Sequence, residues 1–250
     1  MAAPSTARGL PVRLAAPAGA VHERRIPVEG TLETLLPEGG IRRGTVVAVG
    51  GHGSVTLAMA LTAEASRRGS WVAAVGMADL GVSALAERGV DLERWALVDP
   101  PVGGRGRGGW SAGLAADVLG AVVGGFDLVL LGPEIRVAGA TARRLLARMR
   151  EHGTSLICAL GSAPAEVAAG LVPEVRLMIE QTLWTGIDDG HGRLLARQAE
   201  VTVGGRGVAS RPRRIVLWLP STDGRVAFAD PDKAPAFGDG FEHIEERRAG

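Results

Sequence analysis

The segment Gly44-Thr-Val-Val-Ala-Val-Gly-Gly-His-Gly-Ser-Val-Thr56 has the spacing in this chain that could do chemistry: an apolar strand, a glycine-rich turn and a helix start. That order builds a phosphate-binding loop, in which backbone N–H groups cradle an anion at a helix N-terminus. A working loop of the form G-x-x-x-x-G-K-[ST] also needs an ammonium against the β- and γ-phosphates and a hydroxyl on magnesium. Thr56 supplies the hydroxyl. Val55 stands in the lysine place, Ser54 in that of the glycine before it, and Val49 in that of the leading glycine. The single lysine of the chain, Lys233, lies far downstream. The pattern predicts a nucleotide-hydrolase fold stripped of the charges for hydrolysis. Gly50, Gly51, Gly53, Ser54 and Thr56 could still turn N–H groups toward an anion, which leaves room for weak ATP binding. The alternative is that the glycines only permit a tight strand-to-helix turn.

Other chemistry-bearing residues are scattered. His22, His52, His152, His191 and His243 show no metal-ligand spacing, and no Ser-His-Asp or Cys-His arrangement follows from the order of residues. The lone Cys158 sits in the apolar run Ser155-Leu-Ile-Cys-Ala-Leu160, as a buried structural thiol would. Candidate nucleic-acid contacts are Arg105 and Arg107 in the loop 100–109, and Arg206, Arg211, Arg213 and Arg214 near the last strands. Neither cluster has interleaved aromatics on which bases could stack, so a solvated arginine face is the competing expectation. Arg143, Arg144, Arg148 and Arg150 are expected on the solvent side of one helix.

The elements that must position these residues alternate. Strands are expected at Thr45–Val49, Trp71–Val75, Trp95–Val98, Phe126–Leu131 and Thr154–Leu160. Helices are expected at Ser54–Arg68, Val82–Arg88, Trp110–Val123 and Ala138–His152, with a short one before Pro37. Apolar strands alternating with helices predict an α/β domain with a mostly parallel sheet covered on both faces. After Val172 the texture changes to Val175–Trp184, Arg193–Val203 and Arg213–Leu219, which reads as partly antiparallel strands extending the sheet. The expected organisation is an extended arm over 1–24, a core over 25–220 and a polar tail over 221–250.

Composition narrows the class. Hydrophobic residues make up 46% and charged residues 22% of the 250, as in an ordinary globular domain. The net charge of +1 provides no global field to gather nucleic acid, so any such contact is local. The N-terminus has no signal-type apolar run and no stretch approaches a membrane span, so the expected location is cytoplasmic.

In order and spacing, residues 30–220 resemble the RecA family of recombinases. The carriers are the lead-in Leu35-Leu-Pro-Glu-Gly-Gly-Ile-Arg-Arg-Gly44 before the loop and Ala84-Leu-Ala-Glu-Arg-Gly-Val-Asp-Leu-Glu-Arg-Trp-Ala-Leu97 after it. More narrowly, the chain is similar to the inactive actinobacterial branch of RecA-like mutagenesis proteins called ImuA or ImuA-prime, which is related to the SulA division inhibitors. Carried over residue by residue, the family's phosphate-clamping lysine falls on Val55 and its magnesium-site aspartate on Gly132. Its water-activating glutamate falls on Met77, with Asp79 two places late. Its adenine-stacking tyrosine falls near Ala84, and its γ-phosphate sensor on Gly161 or Ser162. The resemblance therefore implies a RecA-like fold with no ATPase activity and no required cofactor. The family's DNA-contacting loop is here reduced to 161–170, without a basic or aromatic residue, which argues against a DNA-pairing filament.

The resemblance also implies partners. These are an ImuB-like Y-family protein and an error-prone polymerase in damage-induced (SOS) translesion mutagenesis, reached through protein–protein contacts. Phe228, Phe237 and Phe241, set among acidic residues in the tail, are candidate partner-docking side chains. Two alternatives stand beside this reading. One is a residual nucleotide- or DNA-binding regulator of recombination that contacts RecA. The other is a SulA-type inhibitor of cell division.

Overall fold

The computed structural model of the chain describes residues 24–100, 109–161, 170–188 and 191–229. The expected N-terminal arm (all but Arg24), Arg105, Arg107, most of the short loop after Leu160, Phe237 and Phe241 lie outside them.

Four short apolar runs build the centre: β3 (Val46–Gly51), β4 (Val72–Val75), β6 (Leu128–Leu131) and β7 (Ser155–Ala159). Each is buried almost throughout. Strands apolar at every position must be covered on both faces, and parallel pairing with intervening helices achieves this. Around these four the described chain adds β5 (Trp95–Val98), β8 (Val175–Asp188), β9 (His191–Gly205), β10 (Arg213–Trp218) and β11 (Ala227–Phe228). The spatial order is β11-β10-β9-β8-β3-β7-β6-β4-β5. From β8 to β5 every pairing is parallel. From β8 to β11 every pairing is antiparallel. The expected parallel core with an antiparallel C-terminal extension is what folds.

Two apolar layers hold the sheet. Val47 and Val49 of β3 face the helix α2 (Ser54–Arg67), while Val46 and Ala48 face α4 (Ala112–Val122) and α5 (Gly139–His152). This is the period-two alternation of a strand. Leu57, Leu61 and Ala65 of α2 are fully buried, as expected, and so are Ala58, Ala60, Thr62 and Ala63. Small side chains let this helix sink deep into the layer. Each fully buried leucine contributes about 1.5–3 kcal/mol. In α5, Ala142, Leu145 and Met149 form one buried stripe, while Arg143, Arg144, Arg148 and Arg150 are exposed, as the pattern predicts. Gly153 ends that helix in the left-handed conformation at φ 72°.

Two features depart from the expected layout. The lead-in forms a separate two-stranded antiparallel sheet, β1 (Arg25–Pro27) with β2 (Gly40–Arg42), around the short helix α1 (Gly30–Glu33). The buried partners Ile26 and Ile41 fasten it to the α2 layer. The remaining helix, α3 (Val82–Glu87), buries only Leu85. The segment from Ser221, expected to begin a polar tail, instead returns to the sheet. β11 pairs with β10, and Val226 and Ala229 are buried, because the apolar pair buries more surface on the sheet than in water.

Cys158 is buried among the α4/α5 layer, and burial pushes its thiol up to about 12. The thiolate is the reactive form. The expected result is therefore negligible labelling by an aromatic disulfide reagent at pH 8 in the native protein, with one thiol released when denaturant unfolds the chain. Prompt native labelling would contradict this burial.

Candidate functional site

In open α/β sheets ligands bind at the carboxyl ends of the parallel strands. In this chain those ends bring together the loop after β3, Gly132 after β6 and Gly161 after β7. The loop turns through Gly51 at φ 88° and Gly53 at φ 95°, and Gly53 is the N-cap of α2. A Cβ on Gly51 would lie 2.0 Å from the Ile179 carbonyl oxygen of β8, so the close passage of β8 requires glycine there.

The expected anion donors are placed unevenly. Gly50 is buried in β3, beside Met178 of β8. The Gly51 N–H donates to the Gly161 carbonyl at 2.7 Å. The Ser54 hydroxyl, 2% exposed, accepts the Gly161 N–H at 3.2 Å. These bonds tie the loop to the end of β7, so the Gly51 N–H and the Ser54 hydroxyl are not free for a ligand, contrary to the expectation for Gly51. The first helical bond of α2 is Leu57 N–H to the Gly53 carbonyl, and no side chain caps the helix. That leaves the N–H groups at its first turn, including those of Ser54 and Thr56, as the remaining donors. His52 is exposed.

The positions to which the resemblance carries catalytic side chains hold apolar packing or no side chain at all. Val55 packs against the apolar layer under α2. Gly132 admits no side chain, because a Cβ would lie 1.9 Å from the Gly76 carbonyl oxygen and 3.2 Å from Met77 Cγ. Met77 is buried in the same layer as α2, Ala84 packs against that layer, and Asp79 is exposed. Among the described residues no group of three or more His, Cys, Asp or Glu side chains is placed to hold a metal ion.

Sequence reasoning missed Arg197. It lies on β9, 8% exposed, with its Nε donating to the Leu219 carbonyl at 2.7 Å and its guanidinium carbon 5.1 Å from the centre of the Trp184 ring. Its Nη2 is buried without a hydrogen-bond partner. The guanidinium lies directly against the loop, where a Cβ on Gly53 would come within 2.4 Å of Nη2 and 2.6 Å of Nη1. Burial, and then the charge of Arg88, hold its pKa below the ordinary arginine range. One signal was available. Ala199, Val201 and Val203 mark the inward face of β9, and Arg197 shares their parity.

The second arginine cluster does not form one patch. Arg213 and Arg214 are consecutive on β10 and project to opposite faces of the sheet. Arg214 is paired with Glu200 at 3.1 Å, and Arg211 is exposed beyond a short 3₁₀ turn at Gly207–Ser210. Phe228 lies on β11 and is 55% exposed. Among the described residues no helix is long and apolar enough to cross a membrane.

The crystal structure of the RadB recombinase superposes on the chain with a TM-score of 0.52 at 14% identity, covering 83% of this chain and 100% of that one. This is a likeness of fold, and the fold is RecA-like, as expected. The uncharacterized protein Rv3395c of Mycobacterium tuberculosis (strain ATCC 25618 / H37Rv) is 33% identical over 126 residues. That match takes in 49% of this chain and 56% of the relative, so the chain spans little more than half of the relative's length. Residues 34–165, which hold the loop, Gly132 and Gly161, match the family model described as the MT3502 N-terminal domain, and the chain belongs to that family.

Proposed function

We propose that the chain is a non-catalytic RecA-like accessory protein of DNA-damage-induced translesion mutagenesis, acting by contact with an ImuB-like Y-family protein and an error-prone polymerase. The observation that carries the reading is the closure of Gly132. A fold whose chemistry depends on a metal-holding carboxylate keeps its shape while a neighbouring carbonyl fills the space the carboxylate needs. The valine in the lysine place, half-buried against the core, supports the same conclusion. What remains for such a fold to offer is surface, including the exposed Phe228 on the edge strand β11 and the exposed Trp184 on β8.

The test is capture of a purified ImuB-like protein from the same genome by the full chain and by a Phe228→Ala variant. Association with the intact chain, weakened by the substitution, is the expected result. Failure of both to associate, with no fall in damage-induced mutation frequency when the gene is deleted, would overturn the reading.

The second reading, a nucleotide- or DNA-binding regulator of recombination, is favoured by one observation: the buried, unpartnered Nη2 of Arg197 beside the loop.

A further inference from the structure

We infer that the cleft at the amino ends of β3 and β8 holds an acidic segment bearing apolar side chains, and that its occupant is residues 230–246 of this chain. The cleft lies at the end of the sheet away from the glycine-rich loop. The inference therefore involves neither nucleotide nor DNA, and it stands apart from the accessory role above.

The cleft has a volume of about 570 Å³, in the size range of sites that take a ligand rather than water alone. Four arginines line it, Arg42, Arg43, Arg150 and Arg206, against two glutamates, Glu38 and Glu174. Arg42 lies 3.8 Å from Glu174, Arg43 is bonded to Asp127 at 2.8 Å, and Glu38 is taken by Arg25 at 3.7 Å. Among the described residues Arg150 and Arg206 have no carboxylate partner. Their backbones are held in place. A Cβ on Gly44, before β3, would come within 3.0 Å of the Arg150 Cα, and the Arg206 N–H is bonded to the Glu174 carbonyl at 2.9 Å. Leu146 and Val172, the latter 51% exposed, add apolar lining. Guanidiniums around uncovered apolar side chains match carboxylates interleaved with apolar groups.

Charge and chain direction select the occupant. Of the longer segments outside the described residues, 1–23 carry Arg8 and Arg13 against Glu23, and 101–108 carry only the basic Arg105 and Arg107. In 162–169 Glu166 is the sole charged residue. Residues 230–246 carry six carboxylates against the single Lys233, with Phe237, Phe241 and Ile244 among them. β11 and β9 are both antiparallel to β10, so they run in the same direction. The Ala229 N–H is bonded to the Val216 carbonyl, and the chain there is heading for the sheet end where Arg213 faces Val203 and Gly205 faces Val175. That end is the cleft's. Three residues along the sheet and four strand spacings separate Ala229 from β3. The span is about 30 Å, which about nine extended residues cover. The stretch from 239 onward, with Phe241, Glu242, Ile244, Glu245 and Glu246, is therefore within reach of the arginines. A partner that takes Phe241 has first to draw it from the cleft.

The experiment is hydrogen–deuterium exchange of the full chain, read by mass spectrometry over 238–246. Amides there should exchange about tenfold or more slowly than in a free peptide of the same sequence, the protection that docking confers. Arg150→Glu together with Arg206→Glu should remove that protection. Adding Glu242→Arg and Glu245→Arg to that pair should restore part of it, because the charges are then exchanged across the contact. In wild type, salt at about 1 M should release the segment as the reversal does, since Arg150 and Arg206 are exposed and their charges are screened. Exchange over β3 and β7 reports whether the variants are folded; should the reversal unfold them, the salt arm decides. The proposal fails if 238–246 exchange at the free-peptide rate in wild type, or if their protection is indifferent to both reversal and salt. Protection that fades on dilution would put a second copy's segment in the cleft and likewise overturn the assignment within one chain.

Discussion

Replacing Gly132 by aspartate should cost the protein about 3 kcal/mol or more, enough to leave much of it unfolded at physiological temperature. The substitution restores the residue type that a metal-dependent RecA-like site requires at that position, yet there is no space for it. The missing Cβ would stand 1.9 Å from the Gly76 carbonyl oxygen and 2.8 Å from its carbon. Relief by a small shift is blocked on both sides. The Gly132 N–H is bonded to the Val75 carbonyl at 2.9 Å, and the Gly76 N–H to the Val98 carbonyl at 3.0 Å. Val75 is paired with Leu131 and with Val98 in the parallel ladder. Separating β6 from β4 would therefore open the middle of the sheet. Denaturant unfolding should show a lowered midpoint with an unchanged slope, and Gly132→Ala should account for most of the loss, since the first carbon makes the clash. An aspartate variant as stable as wild type would show that these strand ends part more easily than their bonding implies.

No ATP hydrolysis above background is the second expected result, for the purified chain and for its Val55→Lys variant alike. Phosphoryl transfer is driven by positioned charge. A single arginine finger is worth a factor of about a thousand to a hundred thousand, and one preorganised donor about a hundred to a thousand. This chain lacks the loop lysine, the metal carboxylate and the water-activating glutamate together, with Val55, Gly132 and Met77 in their places. Returning the lysine alone leaves the other two absent. Arg197 does not substitute for them, because a guanidinium has donors only, with no lone pair to ligate a metal or to take a proton from water. Magnesium-dependent turnover that co-elutes with the purified protein would overturn the non-catalytic reading.

The fold was legible because parallel strands buried on both faces are apolar at every position. Val72–Val75 and Leu128–Leu131 have no other use for such composition, and in Ser155–Ala159 only the buried Ser155 departs from it. The degenerate loop was legible for a similar reason, since Gly51 and Gly53 mark positive φ whatever side chains surround them. Short elements were not. β1, β2 and β11 are two or three residues long, and their pairing is settled by partners distant in sequence. The arginines at 213 and 214 looked like one cluster because adjacency in sequence resembles adjacency in space, whereas a strand sends neighbours to opposite faces. Arg197 was hidden by the opposite effect. It meets Gly53 only because β9 follows β8 back along the sheet to the side of the loop after β3.

The central placement of β3 has a consequence during synthesis. Residues 46–51 leave the ribosome early, yet their two flanking strands are 155–159 and 175–179. Pairings so remote in sequence form slowly and leave apolar chain open to aggregation meanwhile. The stretch matched by the family model ends at 165, before the second of those flanks has been translated. A polypeptide halted there is not a smaller domain but a half-zipped one, with its most water-averse ribbon bare along one side.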